Sequence, residues 1–82
     1  MTVLAELLNV LDEVLSLGGR AQQFNVDTQL LGAVPELDSM AVVSLITRLE
    51  EHFDITVDDD DLNADTFATV GALVDFLTAK LA

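Results

Sequence analysis

Ser39, His52 and the acidic run from Asp58 to Asp61 are the residues of this 82-residue sequence whose types could do chemistry. A serine hydroxyl becomes a nucleophile when a base lies within hydrogen-bond reach, about 2.6–3.2 Å. His52 is the sole histidine and follows Ser39 by thirteen positions. On one continuous helix that spacing is about 20 Å at a rise of ~1.5 Å per residue, which excludes a dyad within the chain. No Gly-x-Ser-x-Gly turn is present either, so His52 reads as a helix-surface residue and no enzymatic activity is expected. Asp59, Asp61 and Asn63 match the opening of a calcium-binding loop, but Ala64 stands where the turn needs glycine and Val70 where a bidentate glutamate is needed. No dedicated metal site is expected, only weak and non-specific binding of divalent ions by Asp58 to Asp61. The chain has no cysteine, which removes disulfides, thiolate metal ligands and a thiol nucleophile.

Ser39 stands at the expected start of a helix. It follows Asp38, a strong helix N-cap type, and Pro35 a few residues earlier discourages an earlier helix start. No proline or glycine occurs from 36 to 70, so the pattern predicts an unbroken helix from Ser39 to about Phe53. The first N–H groups of a helix lack intrahelical partners, and the helix dipole places partial positive charge there. A phosphate ester on Ser39 would lie in that field, gaining about 0.3–1 kcal/mol at an exposed site. The nearby charge of Asp38 means that such a phosphate is held covalently and not trapped as a free anion. Ser16 and Ser44 fall late in the first helix and inside the second, and neither competes for this role.

The elements that must position Ser39 follow from hydrophobic spacing. Thr2 caps a first helix over about residues 3–16, with Leu4, Leu7, Leu8, Leu11 and Val14 or Leu15 at helical intervals and Gly18-Gly19 ending it. Residues 17–37 show no clean period, yet contain Phe24, Val26, Leu30, Leu31 and Val34. So long a connection is often functional, and its apolar residues imply that it packs on the core. In the second helix Val42, Leu45, Ile46, Leu49 and Phe53 form the core stripe, while Met40 and Val43 point away from it. Two outward apolar residues beside Ser39, with Glu50 and Glu51 further along, read as a docking surface; otherwise the long connection folds over Val43 and buries it. Residues 54–57 read as an extended connector, Leu62 as the anchor of a short helical turn, and Thr66 or Thr69 as the cap of a last helix with Val70, Leu73, Val74, Leu77 and Leu81. Lys80 near its end suits the dipole. The expected fold is one all-α domain over residues 1–82: a small bundle of three main helices and one short one, with a long loop between the first two.

Fifteen acidic residues face Arg20, Arg48 and Lys80, for a net charge of −12. Such a chain repels nucleic acid and anionic lipid, and steers basic protein surfaces toward itself. A hydrophobic content of 51% exceeds that of an acidic disordered tail, so the chain folds. The N-terminus lacks a basic segment, and no apolar run approaches the ~20 residues that span a bilayer. A cytoplasmic monomer is expected.

Asp38-Ser39-Met40 resembles the D-S-[LM] signature of acyl and peptidyl carrier proteins. Thr28-Gln29-Leu30-Leu31 ahead of it resembles that family's loop, and Leu49-Glu50-Glu51-His52-Phe53 resembles the end of its second helix. Asp54-Ile55-Thr56-Val57 and Thr66-Phe67-Ala68-Thr69-Val70 resemble its third-helix region and the start of its last helix. The resemblance covers nearly the whole chain. It implies that Ser39 receives 4′-phosphopantetheine from coenzyme A through a separate phosphopantetheinyl transferase. It also implies that the arm carries acyl or aminoacyl groups as thioesters. The partners it implies are an activating ligase or acyltransferase and synthase enzymes with basic docking surfaces, in fatty acid, polyketide or related biosynthesis. The site residues expected are Ser39 for attachment, Asp38 for motif and cap, and Leu37, Met40, Val43 and Glu50 for docking. The chain departs from members serving fatty acid synthesis at Ala41 and Ser44, where those carry acids, and at Arg48, where they are more acidic. The alternative is an acidic helical interaction domain without a prosthetic group. It would leave Asp38-Ser39 at the head of the second helix unexplained.

Overall fold

Thr2 opens the first helix, its hydroxyl accepting the Ala5 N–H at 3.1 Å. The computed structural model describes every residue except Met1, Leu31, Glu36, Leu62 and Ala82. Helix α1 runs Val3–Leu15 and buries Leu7, Leu8, Val10, Leu11 and Leu15. It ends earlier than Gly18-Gly19, because Ser16 takes the left-handed conformation (φ 53°) and its N–H closes on the Asp12 carbonyl. The glycines serve the next step. Gly19 adopts φ 97°, and the Asp12 carboxylate accepts the N–H groups of Gly19 at 2.8 Å and Ala21 at 3.2 Å. One side chain of α1 thus folds the chain over into a short 3₁₀ turn, Arg20–Gln23.

The long connection is packed down as expected, with Leu17, Ala21, Leu30 and Leu37 in the core and Phe24 and Val34 against it. Among the described large apolar residues of the connection Val26 is the exception, at 46% exposure, and Leu31 lies outside the described residues. The connection is also clasped to the start of the last helix by backbone bonds. Leu30 N–H donates to the Ala68 carbonyl, Val70 N–H to Thr28 and Gly71 N–H to Val26, each at 2.9 Å. A single antiparallel bridge, Gln29 with Thr69, is the β-type pairing found among the described residues.

Helix α2 spans Ser39–Phe53 and buries Leu45, Leu49 and Phe53, with Val42 and Ile46 partly buried beside them. Asp54 in the left-handed conformation ends it. Residues 55–58 carry no regular secondary structure, and Asp59–Asp61 form the short 3₁₀ turn; its expected anchor, Leu62, lies outside the described residues. Helix α3 runs Val70–Leu81. Its cap is Thr69, whose hydroxyl accepts the Ala72 N–H at 3.0 Å, while Thr66 bonds the Asp61 carbonyl. Val70, Leu73 and Leu77 are buried, but Leu81 is 45% exposed and stands outside the core. The result is a small all-α bundle with three main helices. No described helix is long and apolar enough to cross a membrane.

Candidate functional site

Asp38 sets the geometry of the site. Its backbone is extended (φ −103°, ψ −175°), and its side chain turns inward to accept the Ala41 N–H at 2.8 Å. Its carbonyl accepts the Val42 N–H at 2.9 Å. Both acceptors of the cap residue therefore serve the first turn of α2, and the next residue, Ser39, is the first helical one. The Ser39 side chain is exposed, and its hydroxyl has no hydrogen-bond partner among the described residues. A group esterified there meets solvent and not packed side chains, so the position fits a covalently held phosphate.

The one histidine does not lie beside Ser39. α2 is continuous from Ser39 to Phe53, which keeps His52 at the far end of the same helix. His52 faces α1 instead, its Nε2 3.2 Å from Glu6 Oε1. Among the described residues no group of three or more His, Cys, Asp or Glu is placed to hold a metal ion.

The expected docking residues divide. Met40 is 78% exposed and Val43 64%, so the connection does not cover Val43. Leu37 is corrected: at 4% exposure it belongs to the core, because the turn that bonds its N–H to the Val34 carbonyl at 3.0 Å folds it beneath the cap. Glu50 is half-buried, its carboxylate accepting the Val57 N–H at 3.0 Å and its carbonyl the Ile55 N–H, so it also holds the connector after α2.

Two ionic features lie beyond what spacing showed. The Arg48 guanidinium sits 3.2 Å from both carboxylate oxygens of Glu13 on α1, and 3.9 Å from Glu51 one turn on. Lys80 lies 2.9 Å from Asp61 and 3.8 Å from Asp58, so it ties the 3₁₀ turn to α3 as well as standing near that helix's C-terminus. The hydrogen bond from Lys80, helped by the Asp58 N–H, holds the Asp61 carboxyl below its ordinary range; the same bond raises Lys80.

Comparison with known proteins bears on the family and the fold. The sequence model of the family described as the phosphopantetheine attachment site matches residues 2–77. The D-alanyl carrier protein of Streptococcus mutans is 33% identical over 78 residues, covering 95% of this chain and 94% of that protein. An acyl carrier protein of Exiguobacterium is 43% identical over 44 residues, covering 54% of this chain; the match spans about half, 53%, of that relative's length. The solution structure of a holo acyl carrier protein from Nitrosomonas europaea superposes with a TM-score of 0.92 at 51% identity, over 99% of this chain and 98% of that one.

Proposed function

The chain belongs to the acyl carrier protein family, the phosphopantetheine-attachment proteins, and from that premise we propose that Ser39 is the residue that holds the arm. Members of this family are carriers and not catalysts, and a covalently attached phosphopantetheine is part of the fold's working form. When attached, the group supplies a terminal thiol on which cargo is held as a thioester. The single observation supporting Ser39 is its exposed hydroxyl at the first residue of α2, unpartnered among the described residues and framed by the Asp38 cap.

The division of labour follows from the residues. Ser39 Oγ supplies the ester oxygen, attacking the pantetheine-side phosphorus of coenzyme A as the pyrophosphate bond breaks and adenosine 3′,5′-bisphosphate leaves. The Oγ proton leaves to a base on the transferase, because His52 lies at the other end of α2. Asp38 fixes the first turn through the Ala41 N–H, so the root of the arm moves with a rigid helix. Met40 and Val43 stand beside it as docking contacts. The net charge of −12 steers basic enzyme surfaces toward the chain.

The cargo we infer is acyl or aminoacyl, loaded by a ligase or acyltransferase and passed to synthase enzymes in the cytoplasm. An activating ligase of a dedicated pathway suits the neutral start of α2, Ala41 and Ser44 included, and fatty acid or polyketide assembly remains within the same chemistry. A helical interaction domain without a prosthetic group is not favoured, since the matching family is the attachment-site family.

Incubation with a phosphopantetheinyl transferase, coenzyme A and magnesium is expected to add the mass of one phosphopantetheine. Ser39→Ala is expected to add none. An unchanged mass for the unmodified wild-type chain, or a full gain in Ser39→Ala, refutes the assignment.

A further inference from the structure

We propose that the seam between the long connection and α3 is a second protein-docking groove, which takes a lysine or arginine side chain of a partner and leaves Ser39 free. Val26 and Asp27 of the connection line it with Gly71, Ala72, Val74 and Asp75 of α3, around a volume of about 530 Å³. None of its lining residues belongs to α2. An enzyme working on Ser39 and a partner seated here therefore use different residues of the chain.

Val26 keeps its side chain in water although its backbone is fixed. Its carbonyl accepts the Gly71 N–H at 2.9 Å, and a Cβ at Gly71 would stand 2.8 Å from that oxygen, so the two walls meet as closely as glycine allows. The turn that presents Val26 and Asp27 is pinned as well. Asn25 N–H donates to Thr28 Oγ1 and Asp27 N–H to Asn25 Oδ1, each at 2.8 Å. On the other wall the Thr69 hydroxyl is occupied by the Ala72 N–H. The groove is thus shaped by backbone bonds before a guest arrives, which lowers the ordering cost of binding.

Charge decides the guest. Asp27 and Asp75 are exposed, and neither carboxylate has a hydrogen bond or ion pair among the described residues. Glu13, Glu6 and Asp61, by contrast, face Arg48, His52 and Lys80. No basic residue lines the groove. An acidic side chain is repelled there, and so is a second copy of a chain that carries −12. A lysine or arginine suits both halves of the groove at once. Its methylene stem lies on Val26, Ala72 and Val74 while its charged head stays among the carboxylates and water.

The probe is an acetylated and amidated Leu-Arg-Leu tripeptide, with Leu-citrulline-Leu and Leu-Glu-Leu as its uncharged and acidic counterparts. Each is titrated into the isotope-labelled full chain and followed by amide chemical shifts. The arginine peptide is expected to move the amides of Val26, Asp27, Gly71, Ala72 and Asp75 together. It should bind about two- to thirtyfold more tightly than the citrulline peptide at low salt, the range for two exposed ion pairs. That advantage should fade in about 1 M salt, where the Debye length is about 3 Å, and the acidic peptide should move none of these amides. Asp75→Asn should remove part of the advantage. Val26→Ser should weaken the arginine and citrulline peptides by the same factor at both salts, because apolar contact is unscreened; thermal unfolding checks that both variants fold. The unmodified and phosphopantetheine-loaded chains should bind alike, and binding confined to one form overturns the independence from Ser39. Shifts as strong over Asp58 to Asp61 as over the groove overturn the proposal, as do equal affinities for the arginine and citrulline peptides or unchanged affinity in both variants. So does a dimer in sedimentation velocity that Val26→Ser abolishes, which would put a second copy in the groove.

Discussion

Gly71→Ala sets two effects of opposite sign against each other. Gly71 lies in the first turn of α3, and alanine in a helix is ordinarily favoured over glycine by up to about 1 kcal/mol. Here a Cβ would stand 2.8 Å from the Val26 carbonyl oxygen and 3.3 Å from Val26 Cβ. The nearer contact is with backbone, which has no rotamer to move into, and it is the oxygen that accepts the Gly71 N–H at 2.9 Å. Forcing the connection away costs about 1–3 kcal/mol as overpacking, with a further ~0.5–1.5 kcal/mol for the strained hydrogen bond. The net is a destabilisation of about 0.5–3.5 kcal/mol after the helix gain. At about 4–8 °C of Tm per kcal/mol for a domain this small, a loss in the middle of that range lowers Tm by roughly 8–16 °C. Urea denaturation followed by circular dichroism reads the difference as a lower midpoint with unchanged slope. A Tm equal to or above that of the wild type would show that the 24–30 segment does not clasp α3 and that Val26 yields to the added methyl group.

Leu49→Ala truncates a side chain that is 1% exposed, beneath α2, and is expected to cost about 2–5 kcal/mol in the same assay; a loss below 1 kcal/mol would place Leu49 outside the tight core. The Lys80–Asp61 clamp predicts stability lost at both ends of the pH scale. Asp61 is lowered in the fold, so its contribution is complete above its ordinary 3.8 and disappears as pH falls through its lowered value. Lys80 is raised, so its contribution is complete below its ordinary 10.5 and disappears as pH rises through its raised value. Lys80→Gln should therefore lower Tm between those limits and converge with the wild type beyond them; parallel Tm curves across the whole range would contradict the clamp.

Much of α2 is legible in the sequence because its signals agree. Asp38 is a capping type at the right place, the stripe from Val42 to Phe53 has helical spacing, and no breaker interrupts it. The outward Met40 and Val43 follow from the same wheel. Leu37 escapes that logic because it precedes the helix, where no period says which way an apolar residue turns. Glu50 has the look of a surface charge until the connector folds back and gives it the Val57 N–H. The end of α1 falls short of Gly18-Gly19, the stronger stop signal by type, because Ser16 takes the left-handed turn and the Asp12 side chain holds the Gly19 and Ala21 amides beyond it. The clasp between the connection and α3 is made by backbone groups, and backbone groups leave no mark in residue type. Lys80 with Asp61 pairs elements whose approach only the fold decides.

That clasp also carries a kinetic meaning. Its three bonds join positions 26–30 to positions 68–71, so it closes a chain segment of about forty residues, whose ends are costly to bring together before other contacts shorten the path. The helices need only near neighbours in sequence. The order this implies is helices first and clasp late, with the loops around Ser39 sealed near the end of folding. A fault placed in the clasp then leaves the climb to the barrier almost untouched and hastens the way back. Gly71→Ala, seen by stopped-flow, should shorten the lifetime of the folded chain while its refolding rate stays near that of the wild type; a slowed refolding limb instead would place the clasp inside the folding nucleus.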